Sequence, residues 1–143
     1  MKIVICGSMA FAQEMLDAKV SLEKNGHRVV LPEGTEKYAK GKLKKLAGKS
    51  GALEGAKRKI NNNLIKKHYY KIQKSDAILV INKEKKGINN YIGGNSFLEM
   101  GFAHILNKKI YVLNQLPKGF LVFYQELVAM KPTVLNGDLD AIK

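Results

Sequence analysis

The chain has 143 residues and a mass of 15.9 kDa, the size of one ordinary domain, and its 45% hydrophobic and 26% charged residues exclude disorder over the whole length. Apolar runs of six residues or fewer exclude a transmembrane helix, and the apolar stretch in residues 1–7 is too short for a signal peptide, so a cytoplasmic location without membrane contact is expected. The net charge of +13 is concentrated: residues 37–74 hold 13 of the 25 basic residues and one acid, Glu54, so this block either attracts a polyanion such as a nucleotide or nucleic acid or is a solvated face.

In chain order, residues 2–6 read as a buried strand closed by Gly7-Ser8. Residues 10–25 read as a helix, because Phe11, Met15, Ala18 and Leu22 recur at spacings of three and four, and Asn25-Gly26 stops it. Residues 28–31 form a second strand ended by Pro32. The Lys- and Gly-rich stretch at about 34–55 has a weak pattern and reads as a flexible insertion, either a flap or a poorly formed helix. Residues 53–74 read as one long helix with Ile60, Leu64, His68 and Ile72 on a single stripe.

Residues 76–81 (Asp-Ala-Ile-Leu-Val-Ile) are the clearest strand, and the continuous apolar run suits a sheet covered on both faces. Residues 82–95 are a polar loop with a small hairpin around Lys86-Gly87. A helix over 96–107, a strand over 109–113, a helix over 120–130 and an edge strand over 133–135 complete the chain. The apolar residues 120–124 either cover the sheet or meet another copy. Strand–helix alternation at this spacing predicts one α/β domain over 1–143, a Rossmann-like parallel sheet of about five strands with helices on both faces. Its ligand is expected beyond the carboxyl ends of the strands, at Gly7, Ser8, Asn82 and Asn114 and in the loop that enters the 96–107 helix.

The run Gly-Gly-Asn-Ser-Phe-Leu-Glu-Met-Gly-Phe-Ala (93–103) carries the most chemistry. Gly93 and Gly94 let backbone N–H groups approach a ligand, and a helix opening at Asn95-Ser96 aims free N–H groups at an anion. Glu99 then falls in the first turn, beside the same mouth. Ser96-x-x-Glu99 also matches a capping box, in which Glu99 would only satisfy the backbone of Ser96.

Cys6-Gly7-Ser8 after the first strand, Ser-Asp-Ala-Ile-Leu-Val (75–80) as the central strand, the 93–103 run and Asn-Lys-Lys-Ile-Tyr-Val-Leu (107–113) stand in an order that resembles the nucleoside 2-deoxyribosyltransferase superfamily, which includes the deoxynucleoside 5′-monophosphate N-glycosidases. The resemblance spans about residues 1–31 and 64–117, and Glu-x-Gly-x-Ala (99–103) is its most specific piece. It implies a flavodoxin-like fold, a nucleoside or nucleotide ligand, no cofactor, and a homodimer or higher assembly. It implies that Glu99 is a nucleophile that attacks the anomeric carbon and displaces the base, while Ser8 and the glycine-rich turn hold the sugar or its phosphate.

The family carries a second carboxylate eight residues before the aspartate that opens the central strand. Here that count lands on His68, with Lys67 or Tyr69 one step away, and His68 reads either as an acid–base group or as a satisfied core histidine. Tyr69, Tyr70 and Tyr91 are candidates for stacking a base. His27 and His104 have no partner at metal-ligand spacing and the single Cys6 excludes a zinc site built from cysteines, so no metal is expected. Two other functions fit the same residues: a nucleotide-binding module without turnover, and a nucleic-acid binder using 37–74.

Overall fold

Residues 1–42, 48–119 and 122–143 are described by the structure, a computed structural model, with residues 48–50 described by their backbone alone. Its elements are β1 (Lys2–Gly7), a 3₁₀ turn (Met9–Phe11), α1 (Ala12–Lys24), β2 (Arg28–Val30), α2 (Thr35–Ala39), α3 (Gly48–Asn61), α4 (Leu64–Gln73), β3 (Ala77–Ile81), α5 (Gly94–Ile105), β4 (Lys109–Val112), α6 (Tyr124–Ala129), β5 (Thr133–Val134) and a closing 3₁₀ turn (Leu139–Ala141). The five strands form one parallel sheet in the order β2-β1-β3-β4-β5. This is the expected α/β class in the flavodoxin-like strand order, whose direction reverses between β1 and β3.

Side chains alternate across a strand, and that parity divides the core in two. Ile3, Ile5, Ala77, Leu79 and Ile81 pack with Phe11, Met15, Ala18 and Leu22 on the α1 face. Val4, Cys6, Ile78, Val80, Ile110 and Val112 pack with Ile72 of α4, Met100 and Ala103 of α5 and Leu127 of α6 on the other. At the end of β1 the backbone approach is close: a Cβ on Gly7 would stand 2.9 Å from Met15 Cε and 3.0 Å from the carbonyl oxygen of Ile81. Glycine is the residue that lets β1 and β3 lie together there.

Three boundaries differ from the sequence reading. The helix expected over 53–74 is two helices, because Asn63 adopts a left-handed conformation (φ 52°) that asparagine tolerates and a helix interior does not. The Asn62 side-chain amide donates to the Arg58 carbonyl and caps the first of them. Ile60 consequently leaves the stripe and is exposed, while His68 and Ile72 stay buried on α4. In the lysine-rich stretch, α2 and the start of α3 are helical, and residues 43–47 lie outside the described residues. The last helix begins at Tyr124 rather than 120, with Phe123 stacked on Phe97 at 4.2 Å between centroids; Phe120 and Leu121 lie outside the described residues.

The hairpin at Lys86-Gly87 is present as a bridge between Lys85 and Ile88 with both central residues at positive φ. Among the described residues no helix is long and apolar enough to cross a membrane.

Candidate active site

The helix after β3 begins two residues before the expected Ser96. Its N-cap is Gly93, and the Phe97 N–H donates to the Gly93 carbonyl at 2.9 Å. Ser96 is therefore inside the first turn and Glu99 one turn deeper, so the capping box is not formed. Burial follows from this register: Ser96, Glu99, Met100 and Ala103 face inward, and Glu99 is only 6% exposed.

Three elements converge on Glu99. α5 supplies Asn95 one turn earlier, whose Nδ2 donates to Glu99 Oε1 at 3.0 Å. α4 supplies His68, on the same inward stripe as Ile72, with Nε2 3.4 Å from Oε1. β1 supplies Cys6, whose position in the strand sends its side chain to the α4–α5 face, with Sγ 3.5 Å from His68 Nε2. Among the described residues Glu99 Oε2 accepts no hydrogen bond, although it is buried. An unsatisfied buried acceptor costs about 1–3 kcal/mol, so its retention calls for a function.

Burial decides the charge of this cluster. It pushes the Glu99 carboxyl up to about 7, opposed by the Cys6 thiol, the Lys59 ammonium and the Asn95 amide, which favour the carboxylate. Burial, with the nearby Lys71 ammonium, takes His68 down to about 4. Burial and the neighbouring carboxylate raise the Cys6 thiol well above its usual range. At neutral pH the site thus holds a thiol, a neutral imidazole and a carboxyl midway through its titration, and His68 and Glu99 do not form a charged ion pair.

Glu99 and His68 lie in the wall of a cleft of about 970 Å³ at the carboxyl ends of β1 and β3. Gly7, Ser8, Gly93, Gly94, Asn95 and Ser96 share that wall, as the sequence reading expects. The lining is also basic: Lys57, Arg58 and Lys59 of α3, Lys67 and Lys71 of α4, and Lys85 and Lys86 of the hairpin border the same cleft. Two of these cations already have acidic partners, since Lys57 is 3.6 Å from Glu54 and Lys67 is 3.5 Å from Glu33. Lys85 Nζ donates to Ser8 Oγ at 2.8 Å and lies 4.8 Å from the centre of the Tyr91 ring. Lys59 Nζ donates to Asn95 Oδ1 at 3.4 Å, so a chain Lys59–Asn95–Glu99 links α3 to the buried carboxyl.

Asn82 and Asn114 stand apart from the other expected residues. They do not border the cleft; Asn82 is fully buried and ties the loops after β3 and β4 to each other. Its Nδ2 donates to the carbonyl of Gln115 at 2.9 Å, its Oδ1 accepts from the Asn114 N–H at 2.8 Å, and its own carbonyl accepts from Asn114 Nδ2 at 2.9 Å. Of the three candidate tyrosines, Tyr91 borders the cleft, as Tyr38 also does, whereas Tyr69 packs edge-on against Tyr70 and Phe102. Cys6 and Lys59 are residues to which the sequence reading gave no individual role at the site. The parity of β1 was a usable signal for Cys6; for Lys59, one lysine among many, there was none.

The chain matches no family model and no curated protein. Among solved structures it is similar to the CMP N-glycosidase BcmB of Clostridium botulinum, at 14% identity over 94% of this chain and 85% of that one, with a TM-score of 0.49. A likeness at this level transfers no residue roles, which rest on the chain's own geometry.

Proposed function

We propose that the protein cleaves or transfers the N-glycosidic bond of a nucleoside or nucleotide, with Glu99 as the nucleophile. One observation carries this reading: a carboxyl buried in the wall of a nucleotide-sized cleft, with one oxygen held by Asn95 and facing His68 at 3.4 Å, and the other without a hydrogen-bond partner among the described residues. The oriented oxygen fixes the side chain, and the unpaired one is the atom with an electron pair to give. The family resemblance of 93–103 assigns Glu99 the same role.

In the first step Oε2 attacks the anomeric carbon, the C1′–N bond breaks, and its electron pair leaves with the base, which takes a proton from water. The oxocarbenium character of that transition state is stabilised by the adjacent carboxylate. In the second step water or another base attacks C1′ and the C1′–Oε2 bond breaks. A histidine that titrates near 4 is neither an acid nor a strong base at neutral pH, so neutral His68 serves to position Glu99, and the incoming proton passes to solvent. The basic wall favours a phosphorylated substrate over a free nucleoside.

A second reading, a nucleotide-binding module without turnover, is favoured by His68, which stands where the resemblance expects a second carboxylate. Incubation with a panel of nucleosides and nucleoside 5′-monophosphates, with free base measured by chromatography, separates the two. Release that is lost in Glu99→Gln supports the enzyme; stabilisation by nucleotides with no base released from any of them supports the module.

A further inference from the structure

The Cys6–His68–Glu99 cluster brings three metal-ligating side chains together in a buried setting. Both neighbours of His68 meet the same ring nitrogen: Nε2 is 3.5 Å from Cys6 Sγ and 3.4 Å from Glu99 Oε1. One nitrogen carries at most one proton or one lone pair, so it serves one of them well and not both. A nucleophile–histidine–acid relay needs the two ring nitrogens on opposite partners, so Cys6 is not an activated thiol of that kind. The 3.4 Å separation is also long for an N–H···O bond, which prefers about 2.9–3.0 Å.

The same separations suit another arrangement. Ligands placed tetrahedrally at about 2.3 Å (sulfur) and about 2.0–2.1 Å (nitrogen, oxygen) around one zinc ion stand about 3.6 Å apart for S···N and about 3.3 Å apart for N···O. The three ligand atoms here all lie within 4.8 Å of one another. Burial adds to this: Cys6, His68 and Glu99 are 0%, 7% and 6% exposed, and Glu99 Oε2 accepts no hydrogen bond among the described residues. Charge balances as well: a thiolate and a carboxylate cancel a divalent cation, so the occupied site is neutral in its buried setting, with the displaced thiol and carboxyl protons passing to solvent. His68 and Glu99 border the cleft, which supplies the entry path and room for a fourth ligand.

We propose that Cys6, His68 and Glu99 form a three-ligand site for a thiophilic divalent cation of the zinc class, entered through the cleft, and that an ion bound there withdraws Glu99 from glycosyl chemistry. The inhibitory half rests on the function proposed above; the binding half does not. The chain would then exist in two forms, a metal-free form with the carboxyl available and a metal-bound form with it coordinated.

The test uses full-length protein freed of metal by chelator and then titrated with Co²⁺. The expected result is one ion per chain and a thiolate-to-cobalt charge-transfer band in the near ultraviolet, both displaced by one equivalent of Zn²⁺. Cys6 is the only cysteine in the chain, so that band assigns the ligand even if a variant fails to fold. Cys6→Ser and His68→Gln, checked for folding by circular dichroism, should each weaken Zn²⁺ binding at least tenfold, whereas His104→Ala, on the exposed far end of α5, should not change it. No uptake by folded wild type, or uptake without the thiolate band, overturns the proposal. Base release by the metal-free protein that one equivalent of Zn²⁺ abolishes supports both halves. A bound ion on a protein that releases no base supports the site and rejects the glycosidase; base release that stoichiometric Zn²⁺ leaves unchanged rejects the inhibition.

Discussion

Replacing Glu99 with glutamine tests the ionisation assigned to the site without using a substrate. The carboxyl titrates near 7 in the fold, against about 4.5 for an exposed glutamate. The folded form therefore holds its proton over a range where the unfolded chain has lost it. The stabilising contribution is complete below about 4.5 and disappears as pH rises through 7. Between pH 5 and pH 8, linkage across those two values removes about 2–3 kcal/mol from wild type. Glutamine matches the side chain in shape and does not titrate. Urea unfolding of both proteins at pH 5, 6, 7 and 8 should show the Glu99→Gln variant gaining on wild type by about 2–3 kcal/mol across the series, with equal m-values. Parallel stabilities, within about 0.5 kcal/mol at all four values, would mean that the carboxyl is solvated or ion-paired, and the burial argument would fail.

His68 should give the opposite slope. Its value near 4 lies below that of an exposed histidine, so its contribution is present above about 6.5 and is lost as pH falls through 4; His68→Gln should therefore lose stability relative to wild type at pH 7 and recover toward pH 4, read by the same unfolding series. Lys59→Ala removes the cation that favours the Glu99 carboxylate, so the rise of base release with pH should shift to more alkaline values with folding intact, as a pH–rate profile would record. Asn82→Ala removes two part-buried hydrogen bonds, from the Asn114 N–H and to the Gln115 carbonyl, and should cost about 1–3 kcal/mol in denaturant unfolding. Gly7→Ala forces a Cβ against Met15 and the Ile81 carbonyl and should cost about 1–3 kcal/mol, whereas Gly26→Ala meets no neighbouring atom and is penalised only by its positive φ.

The sheet was legible because its signal is local. Apolar runs such as 77–81 and the turn residues that close them place all five strands, and the spacing between strands requires crossover helices. Helix ends were less legible because caps depend on tertiary contacts: Ser96 has the chemistry of an N-cap, yet the ladder closes from Gly93, and this shift moves Glu99 from a backbone partner to a buried side chain. The break at Asn63 was written in Asn61-Asn62-Asn63, but the apolar spacing from Ile60 to Ile72 masks it. Glu99 and His68, both singled out in the sequence, stand 3.4 Å apart. Asn82 and Asn114 lie away from the cleft and join two loops, because a polar residue after a strand can turn to a ligand or to a neighbouring loop with the same atoms, and packing decides which.

The most direct measurement is the mass of the protein quenched in acid during incubation with the nucleosides and 5′-monophosphates, followed by peptide mapping. The account predicts release of free base together with a glycosyl adduct on the peptide that contains Glu99, and neither in Glu99→Gln. An adduct on another residue, undiminished base release by Glu99→Gln, or no release from any compound by the metal-free wild type would contradict it.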